Sequence, residues 1–269
     1  MSAFLEVLVW NPGNYQDILV AFSTRRGGMS ALPVSGLNLG FHVGDRRHFV
    51  LNNRFKLLHA LGLHPDSMVM GEQIHGAHVR VVDGQHAGRG AWCHKEALPH
   101  TDAMVTSTAG LVLAGCYADC VPVFIMDLAQ RAIALVHAGW KGTAAHIAVK
   151  TYQIMRQFFV SKPEDCVAVI GPAIGPCCYQ VDELVRRAMR SRWWWQSIHS
   201  CEGNFYRVDL ALANQLQLES LGITTQNSSI CTSCDQRFYS HRRDGDQTGR
   251  MLGLVSIRQD AGNGCLPRE

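Results

Sequence analysis

Two hydrophobic periods divide the chain. Short apolar runs bounded by Gly, Pro or Asp occur at 18–23 and 166–171 and, twice, within 112–143, where a polar turn at 127–130 joins two of them; this pattern predicts buried strands. Alternation at 67–70 and again through Val79, Arg80, Val81 and Val82 predicts two more, and 248–257 reads as a terminal strand. Helical spacing appears over 46–61, through Phe49, Val50, Phe55, Leu57, Leu58 and Leu61, with Gly62 as the stop. It appears again over 142–159, through Ala144, Ile147, Ala148, Thr151, Ile154, Met155 and Phe158. Asp182 and Asp209 are placed to cap two further helices, the second ending at Gly222. Between 83 and 100 no period holds, and the segment is expected to be a mobile excursion over the surface, with His86, His94 and His100 solvated. Neither a repeat nor a Pro/Ser-rich linker divides the chain, so 1–269 is expected to form a single domain, with 260–269 as a frayed tail.

The composition narrows the class. With 269 residues, 47% of them hydrophobic and 17% charged, the chain can bury a full core and is neither disordered nor membrane-spanning. A formal charge of +3, with clustering only at 186–192 and 237–250, does not mark a nucleic-acid protein, but it leaves local cations for an anionic substrate. Without a basic start or a small-residue cleavage pattern, the N-terminus carries no recognisable export signal, so a cytoplasmic protein is expected. Ten cysteines spread through so long a chain then read as reduced thiols. Cys231 and Cys234 form a CxxC, but a four-cysteine zinc site wants a second such pair, and the adjacent Cys177 and Cys178 do not supply it, so no structural zinc is expected there. Trp193, Trp194 and Trp195 point apart on any regular backbone and read as packing or a partner surface, not a stacking platform.

Candidate chemistry concentrates in 112–143. If the two runs pair as a hairpin, Cys120 before one and His137 at the end of the other become neighbours. A thiol beside an imidazole suits a transition-metal site or a Cys/His dyad, although either residue alone reads more simply as core. The strand ending at His137, a Gly turn and a helix start would aim backbone N–H groups at an anion there. His75, at the junction between two strands, is a third reactive side chain; His78, three residues on, points elsewhere. The Gly-rich segment after 23 offers Arg25 and Asn38 as ligand contacts.

Several segments together resemble a known family. They are Glu-Gln-Ile-His-Gly at 72–76, Tyr-Ala-Asp-Cys-Val-Pro at 117–122, Val-His-Ala-Gly-Trp-Lys-Gly-Thr at 136–143 and Ile-Gly-Pro-Ala-Ile-Gly-Pro-Cys-Cys-Tyr at 170–179. Cys-Thr-Ser-Cys at 231–234, Phe-Tyr-Ser-His-Arg-Arg-Asp-Gly at 238–245 and Thr-Gly-Arg at 248–250 follow, and Phe-Ser-Thr-Arg, Gly-Gly-Met-Ser and Gly-Leu-Asn-Leu-Gly-Phe-His-Val-Gly-Asp precede them. In this order, over 22–257, the chain resembles the laccase-domain, or YfiH-like, family of purine nucleoside enzymes. The resemblance implies an α+β fold, a four-layer α/β/β/α sandwich with mixed sheets. It implies zinc on His75, Cys120 and His137, and phosphorolysis of purine nucleosides with adenosine deamination and methylthioadenosine cleavage beside it. Tyr117, where Thr is usual, and Thr101, where Ala is frequent, depart from the pattern and are expected at the pocket wall.

One thiolate and two imidazoles leave the fourth tetrahedral position of a zinc ion open, as catalytic sites do. Arg25 or Arg250 would hold phosphate, and Asp119 would carry a proton or orient a ligand. The partners expected are purine nucleosides and phosphate, acted on by a monomer or weak homodimer. Two rivals stand beside this: a copper-dependent polyphenol oxidase, the family's older label, and a metal-free hydrolase in which His137 activates Cys120.

Overall fold

The computed structural model describes residues 4–11, 17–189, 195–200 and 205–259. Trp193, Trp194 and the tail expected at 260–269 lie outside them. In chain order the strands are β1 (Val7–Trp10), β2 (Ile18–Ser23), β3 (Met68–Met70), β4 (Val79–Val81), β5 (Ala103–Thr106), β6 (Val112–Tyr117) and β7 (Val121–Asp127). They continue as β8 (Ala132–Ala138), β9 (Cys166–Ile170), β10 (Gln180–Val181), β11 (Ile198–Ser200), β12 (Tyr206–Val208), β13 (Thr224–Asn227) and β14 (Met251–Ile257). The helices are α1 (Arg47–Ala60), α2 (Trp140–Ala144), α3 (Ile147–Phe159), α4 (Glu183–Ala188), α5 (Leu210–Glu219) and α6 (His241–Asp244).

Two mixed sheets carry the fold. One has the order β1-β2-β14-β6-β3, antiparallel except where β3 runs parallel to β6, and the other has the order β13-β9-β7-β8-β5-β4, with parallel pairs at both edges. A third, three-stranded sheet is antiparallel. Both large sheets are buried on two faces, which is why β6, β7 and β8 read as unbroken apolar runs. Three apolar layers result. Leu57 and Leu58 of α1 pack with Leu19, Ala21, Ala114 and Leu254; Phe22, Tyr117, Phe124, Leu135 and Val255 meet between the sheets; Ile147, Tyr152 and Met155 of α3 and Leu218 of α5 pack with Val123, Ile125 and Val136. Each fully buried Leu, Ile, Val, Phe or Met among them contributes roughly 1.5–3 kcal/mol.

The hairpin of β7 and β8 forms as its pattern predicts. Asp127 Oδ1 accepts from Ala129 N (3.0 Å) and Gln130 N (2.9 Å), closing the turn, and the register sets Pro122 against His137. Two expectations need correction. The helix expected over 142–159 is two helices, because His146 adopts a left-handed conformation (φ 60°). Buried side chains of α5 grip that break: Asn214 Nδ2 donates to Thr143 Oγ1 (2.9 Å) and Gln217 Nε2 to the Thr143 carbonyl (3.1 Å). The stretch 83–100 is fastened rather than loose, since the buried Arg54 guanidinium donates to the Gly90 and Ala91 carbonyls (2.8 and 2.7 Å). Among the described residues no helix is long and apolar enough to cross a membrane.

Candidate active site and metal centre

Three segments bring His75, Cys120 and His137 together. His137 lies near the end of β8, Cys120 immediately before β7, and the hairpin makes them neighbours; the loop after β3 carries His75. Gln73 fixes that loop by pairing with the backbone of β6 as a strand would: its Nε2 donates to the Cys116 carbonyl (3.0 Å) and its Oε1 accepts from Cys116 N (2.9 Å). One ligand atom from each of the three residues lies within 4.8 Å of the others. Gly139 leaves room for the group, because a Cβ there would meet His75 Cδ2 at 3.2 Å and Cys120 Sγ at 3.3 Å.

Asp102, which the motif reading passed over, organises the site. Its buried carboxylate accepts from His137 Nδ1 (2.9 Å), His75 N (2.9 Å) and Gly76 N (2.8 Å). One side chain thus sets the ring of His137, leaving Nε2 for a metal, and the backbone of His75, held at φ 60°. Burial works against ionisation of Asp102, but the hydrogen bond and charge of His137 hold its carboxyl below the usual range. Burial likewise opposes a Cys120 thiolate, yet the charge of His137 and hydrogen bonds from His137 and His75 bring its thiol down. His137, between that sulfur and Asp102, is pushed up despite burial. A thiolate beside two imidazoles, one backed by a carboxylate, fits a divalent zinc-class ion.

The trio lines a cavity of about 530 Å³, a size suited to a small organic substrate. Ala118, Trp140, Ile174, Tyr179 and Leu210 give it apolar and aromatic wall, while His42, His94, His241, Arg242 and Arg250 give it polar and cationic wall. His42 is exposed at its surface, yet the protein packed around its ring partly desolvates it and, with the charges of Arg250, His94 and Arg54, lowers it to about 4, so it is neutral at pH 7. His94 is exposed, as expected, and also lines the cavity, its ring tilted by 38° against that of His42 with centroids 5.2 Å apart.

Of the other residues singled out in the sequence, Arg250 and Asp119 line this cavity, while Arg25 and Asn38 are not in its lining. Arg25 stacks on Tyr239 at 4.7 Å and pairs with Asp244 at 3.9 Å. Asn38 is fully buried and acts as scaffold: its Oδ1 accepts from Gly40 N (3.1 Å) and Arg250 N (2.9 Å), and its Nδ2 donates to Asp45 (2.9 Å). It thereby places Arg250. Asp119 sits at φ 89° in the turn before Cys120. Thr232 Oγ1 donates to its Oδ1 (2.7 Å), while Ser240 Oγ (3.0 Å) and Arg242 N (2.7 Å) donate to its Oδ2. Both oxygens are engaged, an arrangement that orients the turn before Cys120. Tyr117 and Thr101 are buried and lie outside the lining; Tyr117 backs the site, its ring 5.7 Å from His137 and its hydroxyl donating to the Val136 carbonyl (3.0 Å).

A further correction concerns the cysteines. Cys177 and Cys178 do meet Cys231 and Cys234, with one sulfur from each within 4.8 Å of the rest. The adjacent pair is made opposite the CxxC by the fold and not by sequence spacing.

The profile of a family described as multi-copper polyphenol oxidoreductase laccase matches residues 19–258. The chain belongs to this laccase family. Within it, the chain is 38% identical over 256 residues to the purine nucleoside phosphorylase YlmD of Geobacillus stearothermophilus, covering 91% of this chain and 92% of that one. It is 36% identical over 243 residues to the purine nucleoside phosphorylase YfiH of Shigella flexneri, covering 89% and 94%. The crystal structure of the Geobacillus stearothermophilus YlmD matches with a TM-score of 0.88 at 37% identity, over 92% of this chain and 94% of that chain. A Bacillus licheniformis YfiH structure matches with a TM-score of 0.90 at 35% identity, over 93% and 96%.

Proposed function

We propose that this laccase-family chain is a zinc-dependent purine nucleoside phosphorylase. It cleaves the N-glycosidic bond of adenosine, inosine or guanosine with phosphate, with adenosine deamination and methylthioadenosine cleavage as companion activities. The observation that carries the reading is a His75–Cys120–His137 donor group in a cavity lined by both apolar or aromatic and cationic side chains. Relatives that align over nine-tenths of their length and are named purine nucleoside phosphorylases support it. The three stacked cores support a four-layer α/β/β/α sandwich in one domain as the scaffold.

When bound, zinc would supply a Lewis acid on a donor set that runs from exposed His75 to buried His137. The chain's own residues do the rest. The flat wall of Ile174, Tyr179 and Leu210 takes the purine, and Arg250, with Arg242 at the rim, takes phosphate through guanidinium forks. In phosphorolysis a phosphate oxygen forms a bond to the anomeric carbon while the bond from that carbon to the purine nitrogen breaks. The base leaves with the electron pair and gains a proton. Asp102 holds the Nδ1 proton of His137, so that ring keeps one orientation throughout. Incubating the protein with each nucleoside, with and without phosphate, and separating the products tests the reading: free base and sugar phosphate should form only when phosphate is present. Release of base at equal rates without phosphate would defeat it.

Two observations keep rivals in view. A His₂Cys donor set also suits a single copper, as the family description invites, and metal analysis of protein prepared without added copper, with a phenol oxidation assay, separates the two. The hydrogen-bonded series Cys120, His137, Asp102 is also the pattern of nucleophile, base and orienter. A metal-held thiolate resists iodoacetamide until a chelator is added, whereas a free nucleophile is alkylated at once.

A further inference from the structure

We infer that Cys177, Cys178, Cys231 and Cys234 form a second metal site, a closed four-thiolate centre for zinc that clamps the wall of the cavity. It is built from two loops that leave the same end of the sheet. Strands β9 and β13 run parallel, with Ile170 opposite Asn227, so the chain beyond each emerges side by side. Pairing continues past the strands, as Ala173 N donates to the Ile230 carbonyl (3.2 Å) and Thr232 N to the Ala173 carbonyl (2.9 Å). The CxxC therefore arrives against the vicinal pair by backbone geometry alone.

The sulfur positions match tetrahedral coordination. Zinc–sulfur bonds of about 2.3 Å set tetrahedral sulfur–sulfur edges near ~3.8 Å. Here Cys177 and Cys178 lie 3.5 and 3.3 Å from Cys234, with the whole group inside 4.8 Å. Disulfide sulfurs are bonded at about 2.05 Å, and these four cysteines are free. The backbone N–H of Gly175 donates to the Cys231 sulfur (3.2 Å), tying that loop to the CxxC. Gly175 permits the approach, since a Cβ there would meet Cys231 Cβ at 3.2 Å and Cys177 Sγ at 3.3 Å. Four thiolates around a divalent ion carry a net charge of −2, and three guanidiniums brace the same loops. Arg207 donates to the Cys177 carbonyl (2.6 Å), Arg242 to the Cys178 carbonyl (3.1 Å) and Arg243 to the Thr232 and Ser233 carbonyls (both 3.1 Å).

The centre is closed, because four sulfurs use every tetrahedral position, and thiolates select zinc over harder ions. Its place in the fold gives it a function. Thr232, next to Cys231, holds Asp119 in the turn before Cys120, and Tyr179, next to Cys178, is cavity wall. Binding metal fixes both loops without touching substrate.

The test uses the full chain purified with zinc and without chelator, and counts metal by plasma emission. Two equivalents are expected in the wild type, one in the His75→Ala/Cys120→Ala variant and one in the Cys178→Ser/Cys234→Ser variant. Cobalt loaded into the His75→Ala/Cys120→Ala variant should give an intense thiolate charge-transfer band and tetrahedral d–d bands, which cannot arise from the emptied first site. Should the Cys178→Ser/Cys234→Ser variant fail to fold, alkylation mapping of the wild type serves instead, with all four cysteines protected until chelator is added. A His75→Ala/Cys120→Ala variant that binds no zinc and no cobalt, with these four thiols freely alkylated, would overturn the proposal. So would a disulfide among them in protein prepared without air. Either result leaves the reading of the first site intact, since that reading stands or falls on the nucleoside assay.

Discussion

The two groups of side chains that could hold a metal, about as compact as one another, differ in every respect that bears on chemistry. The His75–Cys120–His137 group mixes donor types, has three members, is backed by the Asp102 carboxylate and opens on a large cavity. The cysteine group has four members of one kind, draws them from two loops, and is braced by guanidiniums on carbonyls instead of carboxylates on imidazoles. A tetrahedral ion on the first group would keep a position for substrate, and on the second it would keep none. Vacancy, supporting hydrogen bonds and access distinguish a reactive centre from a clamp, more than the number of thiols does.

The comparison breaks most sharply at Cys120. In Cys120→Ser the first site should lose its metal and nucleoside turnover should fall by several kcal/mol of barrier, roughly a thousandfold, while metal bound at the cysteine group stays; steady-state rates and metal counts check this. Asp102→Asn comes next. It keeps an acceptor near His137 but cannot serve the ring and the His75 loop equally, so metal affinity at the first site should drop about 10–100-fold in a chelator competition, with no change at the second. Arg250→Ala should raise the phosphate KM roughly tenfold or more through loss of a charge-assisted contact, whereas Arg25→Ala, outside the cavity lining, should leave it within about twofold.

The smallest effect is a pH dependence confined to the cavity side. His42 has its folded pKa lowered to about 4 from the ordinary 6.5, so below 6.5 the unfolded chain takes a proton that the folded chain refuses. Stability contributed by neutral His42 is present above pH 6.5 and is lost as pH falls toward 4. Because the ring faces the open cavity, solvent screening reduces the loss to about 1–2 kcal/mol. Denaturant midpoints of wild type and His42→Asn measured from pH 7 to 4 should converge by that amount on acidification, and parallel curves would contradict the assignment.

Much of this was legible in the residues. The apolar runs and the turn at 127–130 predicted the hairpin that joins Cys120 to His137, and Asp182 and Asp209 cap their helices through Val185 N and Leu212 N. Local pattern failed where tertiary contact decides. The break at His146 follows from what α5 offers Thr143, which no helical period records. Asp102 sits in an ordinary Thr-Asp-Ala segment, and its importance lies in three donors that arrive from elsewhere in the chain, one from β8 and two from the loop after β3. A cue existed, since a buried-strand pattern that opens with a carboxylate demands partners. Asn38 lies in the Gly-rich segment but outside the cavity lining, and its buried amide, which in sequence looks like a turn residue, fixes Arg250. The cysteines were judged by linear spacing, whereas the parallel pairing of β9 and β13 creates their proximity.

The central claim is that the three-donor centre drives phosphate-dependent cleavage of purine nucleosides. Phosphorus NMR of inosine incubated with phosphate and protein measures it most directly, by following the sugar 1-phosphate resonance in wild type and in His75→Ala. The wild type should convert phosphate into that ester in step with hypoxanthine release, and His75→Ala should form it at least about a hundredfold more slowly. Equal rates in the two proteins, or hypoxanthine released without any phosphate ester, would contradict the account.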